Sequence, residues 1–309
     1  MRELFGSDDA PIVVATDLSD SSRPAVEWAL ELQRRLGRPL RILYVALLAE
    51  ESALYPLFDT SPETLGLQEE IERRADKALA RFLEAFDFDA DVEAVVRHAV
   101  SPAAGVLEYV DSEEAGLLVL GTHGRSGFKR WLMGSVAEDV VRRVGCPVLC
   151  CHPEDAAPAD GKFGPVLAAL DFTRASESVA LTAAELGGRL DVDVELLHVV
   201  PDPLFSLPGY LTEGIAGPMP SVSEVTERAQ RELDEFSDRL GLPPSIARSV
   251  KAGRPREFVV AAAEASGASI VVIASRTSAE NAAFLGGITH AVLRHAPCLV
   301  LVVPPPPTD

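Results

Sequence analysis

Short runs of consecutive apolar residues alternate along this chain with longer stretches whose apolar positions recur every three or four residues. The runs are Pro11–Thr16 (PIVVAT), Leu40–Ala46 (LRILYVA), Val92–His98 (VEAVVRH), Leu117–Leu120 and Pro147–Cys151. Continuous apolar character over so few residues predicts strands buried on both faces of a parallel sheet. Between them, Ala25, Trp28, Ala29, Leu32 and Leu36 mark one helical stripe, closed by Gly37. One of the polar residues Ser19–Ser22 is expected to cap that helix. Residues 47–66 are irregular, and Ile71, Ala75, Ala78, Leu79, Phe82 and Phe86 then predict a long helix. Ser101-Pro102 opens another helix through Val110, and Val136–Val144 reads as a fourth.

Strands alternating with helices predict an α/β fold with a doubly wound, five-stranded parallel sheet flanked by helices, flavodoxin-like or Rossmann-like, of order 3-2-1-4-5. The switch point of that order lies between strands one and four, outside their carboxyl ends. Asp17 ends the first strand and Gly121 ends the fourth, so both belong to one crevice.

The pattern then begins again. Val166–Leu170 followed by Asp171-Phe172-Thr173 repeats VVAT-Asp17-Leu18-Ser19, Val194–Val200 repeats the second strand, and Ala296–Val303 (APCLVLVV) repeats GCPVLCC. A repeat of roughly 150 residues means two like domains in tandem. The expected division is domain one at 1–152, a linker at 153–163 within a Pro- and Ala-rich charged stretch (HPEDAAPADGK), and domain two at 164–309. The last strand of each half is apolar and would otherwise be a sheet edge. Pro147–Cys151 and Leu299–Val303 are therefore expected to pair antiparallel, as an intramolecular pseudo-dimer, with further homodimerisation left open.

Of the 309 residues 47% are hydrophobic, ample for two cores, and the formal net charge is −19. That charge argues against nucleic-acid binding and against anionic membrane surfaces. No uncharged apolar stretch approaches the ~20 residues needed to cross a bilayer, and the N-terminus lacks the basic-then-apolar form of a signal peptide, so the expectation is a soluble cytoplasmic protein. Cys146, Cys150, Cys151 and Cys298 lie in apolar runs without CxxC spacing, which predicts buried thiols rather than disulfides or zinc.

The candidate chemistry concentrates in Leu117–Cys151. A strand ends at Gly121, a glycine-bearing loop follows, and Gly134-Ser135 opens a helix, giving the spacing G-x2-G-x9-G-S over Gly121, Gly124, Gly134 and Ser135. Strand, glycine loop and helix N-terminus is a layout whose backbone N–H groups converge on an anion. Glycine is expected there for left-handed turns and close backbone approach, and the Ser135 hydroxyl either to cap the helix or to donate to a phosphate oxygen. With the V-A helix start and the closing C-P-V-L strand, this spacing resembles the nucleotide-binding branch of the universal stress protein family, and the resemblance extends over nearly the whole chain, twice.

The resemblance implies that the loop holds the ribose and phosphates of ATP, or of ADP or AMP, with magnesium arriving only through the nucleotide. It implies that the backbone of Val45 recognises adenine. It also implies that the tandem chain internalises a contact through which single-domain members dimerise. Asp17 would accept hydrogen bonds from a ribose hydroxyl or the adenine amine, the plainer alternative being a helix cap. Ala15 and Leu120 would line the base pocket, His123 would meet phosphate or ribose, and Val136 would offer a helix N-terminal N–H. Arg125, Lys129 and Arg130 place positive charge in an otherwise acidic chain.

No Walker A sequence, general base or acidic pair placed for magnesium is present, so catalysis is not expected beyond slow ATP hydrolysis. In the second half Asp171 and Val199 stand where Asp17 and Val45 do, but Ala274 and Thr277 replace two glycines, and Gly286 and Gly287 match Gly134 and Ser135. That half is expected to be degenerate. The reading is a stress-response sensor or regulator that binds an adenine nucleotide in its N-terminal domain and acts on an unidentified protein partner. A nucleotide-independent interaction scaffold and a weak ATPase are the alternatives.

Overall fold

A computed structural model describes residues 5–7, 9–47, 62–88, 91–123, 133–155, 157, 162–201, 221–275 and 285–306, with side chains from 69 onward in the helix that begins at Pro62. The chain divides into two compact units, Met1–Gly161 and Lys162–Asp309.

The first unit runs β1 (Ile12–Thr16), α1 (Arg23–Leu36), β2 (Leu40–Leu47), α2 (Pro62–Leu83), β3 (Val92–Ala99), α3 (Pro102–Ser112), β4 (Leu117–Gly121), α4 (Ser135–Arg143) and β5 (Val148–Cys151). β1 lies between β2 and β4, β3 flanks β2, and β5 flanks β4, all parallel. Every residue of β1 is buried, as a strand sandwiched between two helical layers requires. α1 buries Ala25, Val26, Trp28, Ala29 and Leu32, while Leu36 stays half-exposed. Gly37 ends α1 in the left-handed region (φ 64), its N–H returning to the Gln33 carbonyl at 2.9 Å. α2 buries Ala75, Leu79, Phe82 and Leu83. Ala78 of the expected stripe is exposed, and Phe86 lies past the helix end.

Two local expectations are corrected. Residues 20–22 form a separate 3-10 turn, and Ser22, the cap of α1, makes no side-chain capping bond. Ser135 is the first helical residue of α4, and Gly134 occupies the cap position, so the Ser135 hydroxyl does not cap. After His152, the Asp155 carbonyl accepts a bond from Trp28 Nε1 at 2.7 Å, and its carboxylate accepts from the His152 N–H at 2.7 Å.

The second unit repeats the plan with β6 (Val166–Leu170), α5 (Arg174–Leu190), β7 (Val194–Pro201), α6 (Val222–Arg239), β8 (Ala247–Gly253), α7 (Pro255–Ser266), β9 (Ile270–Ala274), α8 (Gly287–His295) and β10 (Leu299–Val303). β6 lies between β7 and β9, with β8 and β10 outside them, again all parallel. His198 of β7 is a satisfied histidine, its Nδ1 2.9 Å from the Leu170 carbonyl oxygen. No disulfide joins the four cysteines; burial pushes the Cys146 and Cys150 thiols up to about 12 and Cys151 higher than its ordinary value. Among the described residues no helix is long and apolar enough to cross a membrane, and no group of three or more His, Cys, Asp or Glu is placed to hold a metal ion.

Candidate functional site

The carboxyl end of β1 is held by a compact set of hydroxyl and carboxylate bonds. The Thr16 and Ser22 hydroxyls lie 2.8 Å apart, and the Leu18 N–H donates to Thr16 Oγ1 at 3.0 Å. Asp17 Oδ1 accepts from the Ser19 N–H at 3.0 Å and from the Ser19 hydroxyl at 2.5 Å. This is an Asx turn rather than a cap on α1, and it fixes the direction of the carboxylate. Leu18 adopts φ 65, a conformation a branched side chain rarely takes. Such local strain persists where surrounding bonds over-determine it.

β4 ends beside this turn. A Cβ on Gly121 would sit 3.7 Å from the Ser21 carbonyl oxygen and 3.8 Å from Ser22 Cα. The Thr122 N–H donates to the Cys151 carbonyl at 2.8 Å, and the Gly134 N–H donates to the Thr122 carbonyl at 2.7 Å. The chain that leaves β4 therefore returns to the same point to open α4. Gly134 has φ −64 and ψ 146, and the first intrahelical bond runs from the Glu138 N–H to its carbonyl. The amides of Ser135, Val136 and Ala137 precede that bond and have no backbone acceptor among the described residues. Gly124, Arg125, Lys129 and Arg130 lie outside the described residues.

The expected reason for glycine is corrected at two positions. Neither Gly121 nor Gly134 adopts a positive φ. The nearest neighbour of a Cβ at Gly121 would be the His123 carbonyl oxygen at 3.5 Å, an ordinary contact. The fold accepts a side chain there; only a closely approaching ligand would not.

His123 follows at once. Its Nδ1 lies 2.9 Å from Thr122 Oγ1, whose hydroxyl donates to the Cys151 carbonyl at 3.2 Å. The histidine is accordingly assigned the Nδ1–H form, and Nε2 carries the lone pair. Nε2 is shielded from solvent and has no hydrogen-bond partner among the described residues. Burial holds the His123 pKa below its ordinary 6.5, with the neighbouring His152 adding to the effect and Glu154 opposing it. The two imidazole rings lie 6.4 Å apart, and His152 Nδ1 is 3.2 Å from Asp155 Oδ2.

Ala15 stands opposite Leu120 in the β1–β4 register, and both are buried. Val45 lies near the end of β2 under α3, where a Cβ on Gly105 would come 2.7 Å from Val45 Cγ1. The structure thus gathers Ala15, Asp17, Leu120, Gly121, His123, Gly134, Ser135 and Val136 at the ends of β1 and β4, with Val45 one strand away.

The second unit copies the frame. Asp171 Oδ1 accepts from the Thr173 N–H at 3.0 Å, from the Thr173 hydroxyl at 2.6 Å and from the Ser176 hydroxyl at 2.8 Å. Phe172 repeats the left-handed conformation of Leu18 at φ 59. The Ser275 N–H donates to the Val303 carbonyl at 2.8 Å, and the Gly286 N–H to the Ser275 carbonyl at 3.0 Å. Gly286 caps α8 with Gly287 as its first residue, and Val199 occupies the place of Val45. Thr277 lies outside the described residues. Phe172, stacked on His198 at 4.1 Å, replaces the aliphatic Leu18.

Comparison with known proteins agrees with this duplicated architecture. The Universal stress protein family matches residues 10–152 and again residues 162–304. A universal stress protein of Mycobacterium tuberculosis is 30% identical over 298 residues, covering 94% of this chain and 96% of the relative. One from Mycolicibacterium smegmatis is 26% identical over 303 residues, covering 95% and 97%. A solved universal stress protein from Archaeoglobus fulgidus has the same fold, with a TM-score of 0.67 at 20% identity over 96% of this chain and 98% of that one. The chain belongs to the universal stress protein family, with two family domains in tandem.

Proposed function

We propose that this universal stress protein binds ATP or a related adenine nucleotide in its first unit and acts as a stress-response regulator that reports nucleotide state to a protein partner. The observation that carries the reading is the closure at Thr122. One hydrogen bond returns the chain to the end of β4, where α4 opens, and Gly121 at that strand end lies against Ser21 and Ser22, just after Asp17. Unpaired helix N-terminal amides suit phosphate oxygens, which the helix dipole also favours. The Asp17 carboxylate, oriented by its own turn, suits a ribose hydroxyl. His123 Nε2, a neutral acceptor, suits a hydroxyl donor better than a phosphate. Gly121 leaves room for close approach, and Ala15, Leu120 and the Val45 backbone suit the base.

Gly124 and the basic residues Arg125, Lys129 and Arg130 complete the phosphate contacts in this reading, and magnesium enters bound to the nucleotide. In the second unit Asp171, Val199, Thr277, Gly286 and Gly287 are remnants of the same site that do not retain ATP. The protein works in the cytoplasm, where ATP is plentiful. Its residues supply binding rather than a developing transition-state charge, so turnover is slow or nil.

The test is thermal melting of the full chain with ATP, ADP, AMP and GTP. Adenine nucleotides should raise Tm by mass action, by about 2.7 kcal/mol of stability at a hundredfold excess over Kd. The rise should vanish in Asp17→Ala. No rise in the unsubstituted chain would leave the nucleotide-independent scaffold.

A further inference from the structure

The two units differ most sharply away from the crevice, between the helix that follows the second strand and the third, outermost strand. Register aligns the two places. Ile42 pairs with Ala94 in the first unit, and Leu196 pairs with Arg248 in the second. The buried positions Ala75, Leu79 and Phe82 of α2 recur as Ala229, Leu233 and Phe236 of α6. Asp76, Ala80, Leu83 and Glu84 therefore correspond to Gln230, Asp234, Ser237 and Asp238.

In the second unit the gap between helix and strand is closed from within. Arg248 reaches from β8 to α6, its Nη1 3.2 Å from Asp238 Oδ1 and 3.6 Å from Asp234 Oδ1, with only 15% of its side chain exposed. The aliphatic stem covers apolar surface while the guanidinium meets the two carboxylates.

In the first unit alanine replaces the arginine and one of its two carboxylates, as Ala94 and Ala80, and Glu84 stands where Asp238 does. What remains is a groove of about 420 Å³ whose walls include Leu79, Leu83, Phe86, Phe88 and Val96. Asp76 and Glu84 stand on its rim, and neither makes an ion pair among the described residues. Beside it, β3 pairs with β2 on one side only within its unit.

We propose that this groove is a docking site for an extended segment of another protein that adds alongside β3 and inserts an arginine flanked by apolar side chains. The inserted arginine takes the part that Arg248 plays in the second unit. Glu84, the counterpart of Asp238, and Asp76 receive the guanidinium, and the apolar walls receive the flanking side chains. Edge addition supplies main-chain bonds, and the groove supplies the choice of side chain. The inference stands on the groove alone and is independent of nucleotide binding.

The test is fluorescence polarisation of the full chain with a labelled peptide, Thr-Val-Thr-Arg-Thr-Val-Thr, whose valines share a strand face with the arginine, and a twin in which glutamate replaces the arginine. The arginine peptide should bind and the glutamate twin should bind at least about tenfold more weakly, the scale of a partly desolvated charge pair. The double variant Ala80→Asp/Ala94→Arg installs the second unit's latch and should cut binding by at least about tenfold, with unchanged circular dichroism. Arg248→Ala, which opens the second groove, should add a second class of peptide sites. The proposal is overturned if the arginine peptide does not bind, if the two peptides bind alike, or if the latched variant binds as well as the original chain. A concentration-dependent dimer that the latch abolishes would instead assign the groove to self-association.

Discussion

The two units of this protein share a backbone plan and differ in what they do with it. Each ends its first strand in Asp-x-Ser/Thr, with the carboxylate bound to the N–H and hydroxyl two residues on, and each holds the intervening residue at positive φ. Each returns the chain to the fourth strand's end through one glycine N–H. Strain that recurs in both copies belongs to the fold. The residues at the crevice differ as well: Gly121 and Ser135 in one, Ala274 and Gly287 at the matching positions in the other. Geometry alone is therefore not evidence for a ligand in the second unit, and substitutions at equivalent positions are the way to divide scaffold from site.

The largest contrast is expected at the paired aspartates. Asp17→Ala should weaken ATP binding by about a hundredfold, the loss of a charged hydrogen bond acceptor. Asp171→Ala should leave ATP affinity unchanged while removing three hydrogen bonds from its own turn. Calorimetric titration of both variants reads this directly, and equal losses would erase the distinction between the units.

A smaller separation is expected at Gly121. Because a Cβ there meets nothing closer than 3.5 Å, Gly121→Ala should leave the melting temperature of the free protein unchanged. Affinity for ATP should nevertheless fall by about tenfold as the methyl group occupies space a phosphate approaches. A drop in Tm without ligand would show that the glycine serves the fold.

The paired left-handed residues sharpen the comparison in stability alone. Leu18→Gly relieves an unfavourable conformation worth about 1–2 kcal/mol and should be neutral or slightly stabilising. Phe172→Gly relieves the same strain but removes a ring stacked on His198 at 4.1 Å and set edge-on to Phe236 at 6.0 Å. It should destabilise by about 1–2 kcal/mol, because the ring's burial and aromatic pairing outweigh the relief. Denaturant titration distinguishes the two.

The smallest effect is on pH dependence. Burial lowers the His123 pKa in the folded state, so the unfolded chain binds the proton more readily. Stability is complete above the ordinary value of 6.5 and is lost as pH falls from there through the folded pKa. His123→Asn should flatten the decline in Tm between about pH 7.5 and pH 5.5, the range in which histidine titrates. An unchanged slope would mean that His123 meets the proton without penalty.

Much of this was legible in the sequence for a simple reason. Strands buried on both faces must be continuously apolar, so β1, β4 and β9 announce themselves, and the repeat doubles every signal. The crevice followed from strand order, which places Asp17 and Gly121 together before any side chain is considered. What the sequence did not reveal depends on contacts across the fold or on unusual backbone. Leucine and phenylalanine carry no sign of a left-handed conformation, so Leu18 and Phe172 passed as ordinary turn residues. The serine-rich Ser19–Ser22 looked like a helix cap, but the hydroxyls are used to bind Asp17 and one another. The bond from Trp28 to the Asp155 carbonyl spans 127 residues of sequence and has no local signal. The exchange of Arg248 for Ala94 is visible only once sheet register aligns the two third strands.

The central claim is one working nucleotide site in a chain built twice. Its most direct test is to purify the full chain, denature it, and identify and quantify any released nucleotide by mass spectrometry after saturation with ATP and removal of the excess. The account predicts about one adenine nucleotide per chain, as one high-affinity site demands, and none from Asp17→Ala. Two per chain, or an unchanged yield from Asp17→Ala, would contradict it.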